Sequence, residues 1–217
     1  MTLSFYQNGI MRCLIEQPSN TRFRISDYDL PVVEDQLNSV TDFTDKVTNS
    51  TNWVAVSNLT NESDGETYSY NISYDPFMIT QYADGVETMV INKNKSLAYE
   101  IGAPPSMTET SSSWPTQTWF NASTIDFWQP ASRLFGLPER EDTLMLKMTQ
   151  PNGQPYQLFA TDQPQHMPNN QQPLYGSVPY LTAIDKAFSS SIAMINSAHT
   201  WVDLTSTSND TVNSTSS

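Results

Sequence analysis

The sequence predicts an all-β chain, an antiparallel β-sandwich, and three observations carry that expectation. Apolar residues alternate with polar ones at a period of two along most of the chain. Short runs of this kind recur at intervals of roughly 8–12 residues with turn residues between them, the spacing of sandwiches. The composition also fits: 37% of the 217 residues are hydrophobic and only 15% charged. The balance is Ser, Thr, Asn and Gln, which suit the outer faces of a sandwich and its loops. Five Trp, ten Tyr and nine Phe argue against a disordered chain.

Taken in order, Leu3 to Phe5 and Ile10 to Ile15 read as strands around Gln7-Asn8-Gly9, an Asn-Gly hairpin signal. Thr21 to Ile25 alternates and reads as another strand, and Asp27 to Pro31 as a turn. The polar stretch that follows, to about Asn52, reads as loop or weak edge strand. Trp53 to Val56 is a short strand, and Thr67 to Tyr74 a longer one with alternating aromatics. Pro76 to Tyr82 and Glu87 to Asn92 flank the turn Ala83-Asp84-Gly85 and form a second hairpin. Residues 102–124, rich in Pro, Ser and Thr, read as a long loop. Strand character resumes over Thr124 to Trp128, Leu144 to Met148, Tyr156 to Ala160, Ser177 to Thr182 and Ile192 to Asn196. The one candidate helix is a turn or two around Ala183 to Ser190. The expected organisation is one domain over 1–204 and a polar tail or linker over 205–217.

Charge and residue inventory exclude several functions. A net charge of −13 without any Lys/Arg cluster argues against a nucleic-acid partner. Cys13 is the only cysteine, so neither an internal disulfide nor a cysteine zinc site can form. In its apolar surroundings it reads as a small core residue. No run approaches the ~18 apolar residues of a membrane span, and the first residues lack the basic and apolar regions of a signal peptide. Eight N-x-S/T sequons, from Asn49 to Asn213, point weakly to a lumenal or secreted protein.

Few residues carry recognisable chemistry. No His/Cys/Asp/Glu set has metal spacing, no Gly-rich phosphate loop is present, and no motif marks a nucleophile; no cofactor is expected. His166 and His199 read as structural. Glu139-Arg140-Glu141-Asp142 has two readings, a solvated turn or an acid at the rim of a carbohydrate cleft. Asp162 in Thr161-Asp162-Gln163-Pro164 is either a turn cap or a carboxylate presented to sugar hydroxyls. Trp114, Trp119, Trp128 and Tyr175 are either core aromatics or stacking platforms for a pyranose.

The order of several motifs adds a family resemblance. Phe135-Gly136-Leu137-Pro138-Glu139-Arg140 is followed by Gln154-Pro155-Tyr156-Gln157-Leu158 through Asp162. Next come Pro173-Leu174-Tyr175-Gly176-Ser177-Val178-Pro179 and Ala198-His199-Thr200-Trp201-Val202-Asp203. This succession resembles the end of the N-terminal domain of glycoside hydrolase family 31 α-glucosidases, and in particular their endoplasmic-reticulum glucosidase II branch. The likeness is strong over about 70 residues, weaker over the first 30 and thin between.

The resemblance implies a galactose-mutarotase-like β-sandwich packed on a (β/α)₈ barrel that holds both catalytic carboxylates. It implies that Asp162 contacts the sugar in the non-reducing-end pocket, with Gln163 orienting the loop. It further implies an α-glucoside or oligosaccharide substrate, a regulatory beta subunit as partner, and residence in the endoplasmic reticulum lumen. Trp201-Val202-Asp203 imitates the start of the family's W-x-D-M-N-E nucleophile motif, but Leu204-Thr205-Ser206 follows. No catalytic residue is therefore assigned, and the sequence is expected to stop before the barrel, inactive without it. A free-standing carbohydrate-binding module is the alternative, and a degenerate chain without function is a third reading.

Overall fold

The structure, a computed structural model, describes residues 1–6, 9–15, 43–47, 52–60, 65–101, 121–151, 153–162, 167–195, 199–207 and 211–216. The sequence readings at Thr21 to Ile25, Asp27 to Pro31, Gln7-Asn8, residues 102–120, Gln163, His166, Trp114 and Trp119 lie outside these. Among the described residues there is no helix, and every strand pairing with a stated register is antiparallel. The all-β expectation holds. The chain forms two compact units, residues 1–75 with 80–87, and residues 76–79 with 88–217.

In the first unit, β1 (Thr2–Phe5) and β2 (Met11–Leu14) form an antiparallel hairpin in which Phe5 faces Met11. Gly9 has φ +72°, and a Cβ there would lie 2.4 Å from the Tyr68 ring. Its carbonyl accepts hydrogen bonds from the Tyr70 hydroxyl and the Gln81 amide, each at 3.1 Å. The Phe5 and Tyr70 rings meet at 4.7 Å. Burial pushes the Tyr70 phenol well above its ordinary value, so it stays a neutral donor. Cys13 is half-buried on β2, and burial raises its thiol. A second run comprises β3 (Phe43–Val47), β4 (Asn52–Thr60) and β5 (Thr67–Tyr74), paired in that order with an irregularity between Val56 and Thr60. The expected Asp84-Gly85 turn joins β6 (Phe77–Ala83) to β7 (Val86–Ile91). Both turn residues have positive φ, 48° and 77°, as a two-residue hairpin loop requires. Asp84 also exchanges two 2.8 Å hydrogen bonds with Thr67.

The second unit holds two sheets. One contains β8 (Ala98–Ile101), β9 (Asn121–Gln129), β11 (Tyr156–Leu158), β14 (Thr200–Thr207) and β15 (Thr211–Ser216). Their order is β11-β14-β15-β9, continuing to β7 residues Val90 and Ile91, with β8 also on β9. The other is β10 (Arg133–Gly136), β12 (Tyr180–Ile184) and β13 (Ser189–Ala193). Between them lies a core of Leu134, Leu137, Leu146, Tyr156, Leu158, Leu181, Val202 and Leu204 with the small residues Ala131 and Ala183. The period of two is visible on β12, where Leu181 and Ala183 are buried while Tyr180 and Ile184 are exposed. Burying each of these leucines is worth about 1.5–3 kcal/mol.

Several sequence expectations are corrected here. The helix expected around Ala183 to Ser190 is a hairpin between β12 and β13. Asp185 builds its turn, donating its amide to the Phe188 carbonyl and accepting from the Lys186 amide. The strand expected over Leu144 to Met148 shrinks to one bridge, Met145 with Phe135. This segment crosses between the sheets: Leu146 N–H bonds Leu134 O of one, and Thr149 N–H bonds Leu204 O of the other. Lys147 between them is satisfied by the Tyr156 hydroxyl, which accepts from its amide at 2.8 Å and donates to its carbonyl at 3.2 Å. Strand β9 starts at Asn121, earlier than the end of the expected 102–124 loop. The segment 205–217, read as a tail, contains the end of β14 and all of β15, which pairs β14 on one side and β9 on the other. Its Thr and Val residues are good strand formers, and ladder hydrogen bonds do not need an apolar sequence.

Candidate functional site

The four motifs that carry the resemblance all lie in the second unit. β11 leads out of the core through Leu158 to Phe159, whose ring stacks on His199 at 4.8 Å, and on to Thr161. Thr161 is latched: its amide donates to Leu174 O at 2.7 Å and its hydroxyl to Pro173 O at 2.6 Å. The segment carrying Pro173 to Val178 is zipped in turn to the turn at Pro138 to Glu139. Glu139 N–H donates to Gly176 O at 2.9 Å, Leu174 N–H to Glu139 O at 3.1 Å, and Val178 N–H to Pro138 O at 3.0 Å. The Glu139 carboxylate accepts from Gly176 N–H at 2.8 Å. A Cβ at Gly176 would sit 2.9 Å from the Glu139 carboxyl carbon, so a larger residue there would push that carboxylate aside.

Arg140 ties the arrangement together. Its Nε donates to Leu137 O at 2.8 Å, and its two terminal nitrogens donate to Gln171 O and Gln157 O. One guanidinium thus serves three chain segments, and its carbon lies 5.0 Å from the Tyr156 ring centroid. Burial lowers the Arg140 pKa, opposed by Tyr156 and Asp142. An arginine remains charged even so, because its ordinary value is far above neutrality. Asp142 is also held by its neighbours. Burial raises its carboxyl, but hydrogen bonds from Lys147 and the Thr143 amide, with the Lys147 and Arg140 charges, prevail and depress it.

Asp162 follows the latched Thr161 directly, and it is exposed. Among the described residues its carboxylate has no hydrogen-bond partner. The arrangement therefore offers an anionic acceptor whose backbone approach is fixed on one side. Gln163 lies outside the described residues. Glu139 and Asp203 are structural: Asp203 accepts from Thr149 Oγ1 at 2.8 Å and Gln150 Nε2 at 3.3 Å. Trp128 lies beneath the Lys93 ammonium, 3.3 Å from its centroid. Tyr175 is exposed on the latched segment, which suits it better than Trp128 to a sugar face. The roles of Arg140 and Thr161 escape sequence reading. Arg140 is visible there as one member of a charge run and as the end of the Phe135 to Arg140 motif, but not as a tie between segments, because the carbonyls it bonds are spread from residue 137 to 171.

Comparison with known proteins identifies the family of the fold. Residues 1–203 match the family described as the glycosyl hydrolase 31 N-terminal galactose mutarotase-like domain. A segment of 83 residues is 42% identical to neutral alpha-glucosidase AB of Mus musculus, covering 38% of this chain and 9% of that protein. One of 81 residues is 35% identical to glucosidase 2 subunit alpha of Saccharomyces cerevisiae, covering 37% of this chain and 8% of that protein. The chain thus matches only a small part of the length of these relatives. The fold resembles a solved glucosidase II alpha subunit with alpha3-Glc2 bound, at TM-score 0.67 and 20% identity over 83% of this chain and 22% of that one. It resembles equally the ER glucosidase II heterodimer of catalytic subunit and regulatory-subunit binding domain, at TM-score 0.67 and 20% identity over 82% of this chain and 22% of that one. By its sequence match and its antiparallel architecture, the chain belongs to the glycoside hydrolase 31 N-terminal galactose mutarotase-like domains, a β-sandwich family.

Proposed function

We propose that this chain is the carbohydrate-contacting and supporting N-terminal domain of an α-glucosidase of the glucosidase II type, which hydrolyses terminal α-glucosidic bonds during N-glycan processing. The observation that carries the reading is the Asp162 carboxylate, exposed, without a partner among the described residues, and next to a doubly anchored Thr161. An ionised carboxylate so placed accepts hydrogen bonds from adjacent sugar hydroxyls, and such charge-assisted bonds are about twice as strong as neutral ones. Gln163 orients the loop.

Retaining hydrolysis requires two carboxylates about 5–5.5 Å apart. In this proposal a (β/α)₈ barrel supplies both, and the present domain forms one wall of the pocket. A regulatory beta subunit and the endoplasmic reticulum lumen complete the setting, by analogy with the glucosidase II relatives. The test is a pair of assays on the 217-residue chain. A chromogenic α-glucoside is not cleaved, and binding of methyl α-D-glucopyranoside, read at the Thr161 amide by NMR, weakens about tenfold or more in Asp162→Ala. Turnover by the chain alone, or binding indifferent to Asp162→Ala, overturns the proposal.

A further inference from the structure

A cleft of about 330 Å³ opens in the second unit between the start of β11 and the segment 169–173. Its walls are amides: Gln154 and Gln157 on one side, Asn169, Asn170, Gln171 and Gln172 on the other. Among the described residues no carboxylate lines it, and its one cation, Lys147, has its ammonium paired with Asp142.

The backbone of both walls is fixed by the Arg140 guanidinium, which bonds Gln157 O on one and Gln171 O on the other. The second wall is stiffened further. Gln171 Nε2 donates to the Tyr156 hydroxyl at 3.1 Å, Asn170 N–H to Glu141 O at 3.0 Å, and Gln172 N–H to Asn170 Oδ1 at 3.1 Å. Pro155 and Pro173 also belong to the walls, and their rings restrict φ. Against this frame the side-chain amides of Gln154 and Gln157 have no hydrogen-bond partner among the described residues.

We infer that this cleft is a binding site for a neutral sugar ring, separate from Asp162. Each carboxamide carries a donor pair and an acceptor side by side, matching the hydroxyls of a pyranose, each of which both donates and accepts. With its lysine neutralised and no carboxylate present, the cleft gives neither a cation nor an anion a net charge to bind. Its volume lies at the small end of ligand sites, so it takes one ring rather than a chain. The site holds a neutral residue of a glycan, or a free monosaccharide, through Gln154 and Gln157.

The test is a ¹⁵N-NMR titration of the whole chain with methyl α-D-glucopyranoside, methyl α-D-mannopyranoside and, separately, inorganic phosphate. The site predicts a Kd of order 1–10 mM for at least one glycoside, with amide shifts at residues 154–157 and 169–172. Binding at these residues weakens at least about tenfold in the double variant Gln154→Leu/Gln157→Leu and persists in Asp162→Ala. Persistence in Asp162→Ala separates this site from the one proposed above. Because Gln154 is exposed, Gln154→Ala alone provides a well-folded check, with a loss of about threefold or more. If neither glycoside shifts these amides, if both glutamine variants bind as the parent does, or if phosphate gives the same shifts, the inference is wrong. A glycan bearing the same sugar at its end, titrated in parallel, tells a glycan-holding site from one for free monosaccharide.

Discussion

Arg140 braces the surroundings of Asp162 by bonding the carbonyls of Leu137, Gln157 and Gln171 in three chain segments that also bond one another. Lysine cannot reproduce this fork. Arg140→Lys is expected to cost about 2–4 kcal/mol, because half-buried carbonyls lose charge-assisted partners; chemical denaturation measures the difference. Gly136 is a second single-residue determinant. It has φ +118°, and a Cβ would sit 2.2 Å from Tyr180 O, which is the backbone of a paired strand and cannot move aside as a flexible side chain would. Gly136→Ala should lower stability by about 3 kcal/mol, read as a fall in melting temperature of several degrees. The loop that carries Asp162 was legible in the sequence as part of an ordered succession of motifs, while the role of Asp162 is our proposal. The latch at Thr161 was not, because Thr161 and its partners Pro173 and Leu174 are remote in sequence and linked only by backbone geometry. Glu139 had two readings, a solvated turn or an acid at a cleft rim, and its carboxylate is committed to the Gly176 amide.

Strands with strict alternation were legible element by element. Thr67 to Tyr74 and the hairpin around Asp84-Gly85 lie where the pattern places them. The failures have a common physical origin: backbone pairing decides an element that side-chain hydrophobicity does not mark. β15 is almost free of apolar residues yet is paired on both sides. Conversely, the apolar run Leu144 to Met148 is no strand, because its backbone is shared between two sheets and the Tyr156 hydroxyl. Tyr156→Phe removes that bridge, leaves the Lys147 amide without its acceptor, and should cost about 1–3 kcal/mol. The same segment carries a pH dependence. The Asp142 carboxyl titrates below its ordinary value when folded. Its ion pair therefore stabilises the fold above the unfolded value of about 4, and this stabilisation is lost as pH falls through the folded value. Asp142→Asn should flatten the acid limb of the stability profile by removing that contribution, a comparison that denaturation at pH 3 and pH 7 makes directly.

For the molecule as a whole, an all-β scaffold is joined in our proposal to a sugar-contacting role without bond cleavage. The scaffold is shown by the antiparallel strands and by membership of the family; the role is our proposal, and it concentrates at Asp162. Exposed Leu144, Met145, Val178 and Ile195 leave apolar surface in the second unit, which the barrel of our proposal would cover in part. Light scattering of the isolated chain should accordingly show self-association that rises with salt, as exposed apolar surface and a screened charge of −13 imply. The most direct measurement is an assay of glucose release from an α-glucoside with ¹⁵N-NMR of the same sample. Shifts at Thr161 and Asp162 are expected, with their loss in Asp162→Ala and no glucose released. Glucose appearing in the sample, or unchanged shifts in the variant, would contradict the proposal.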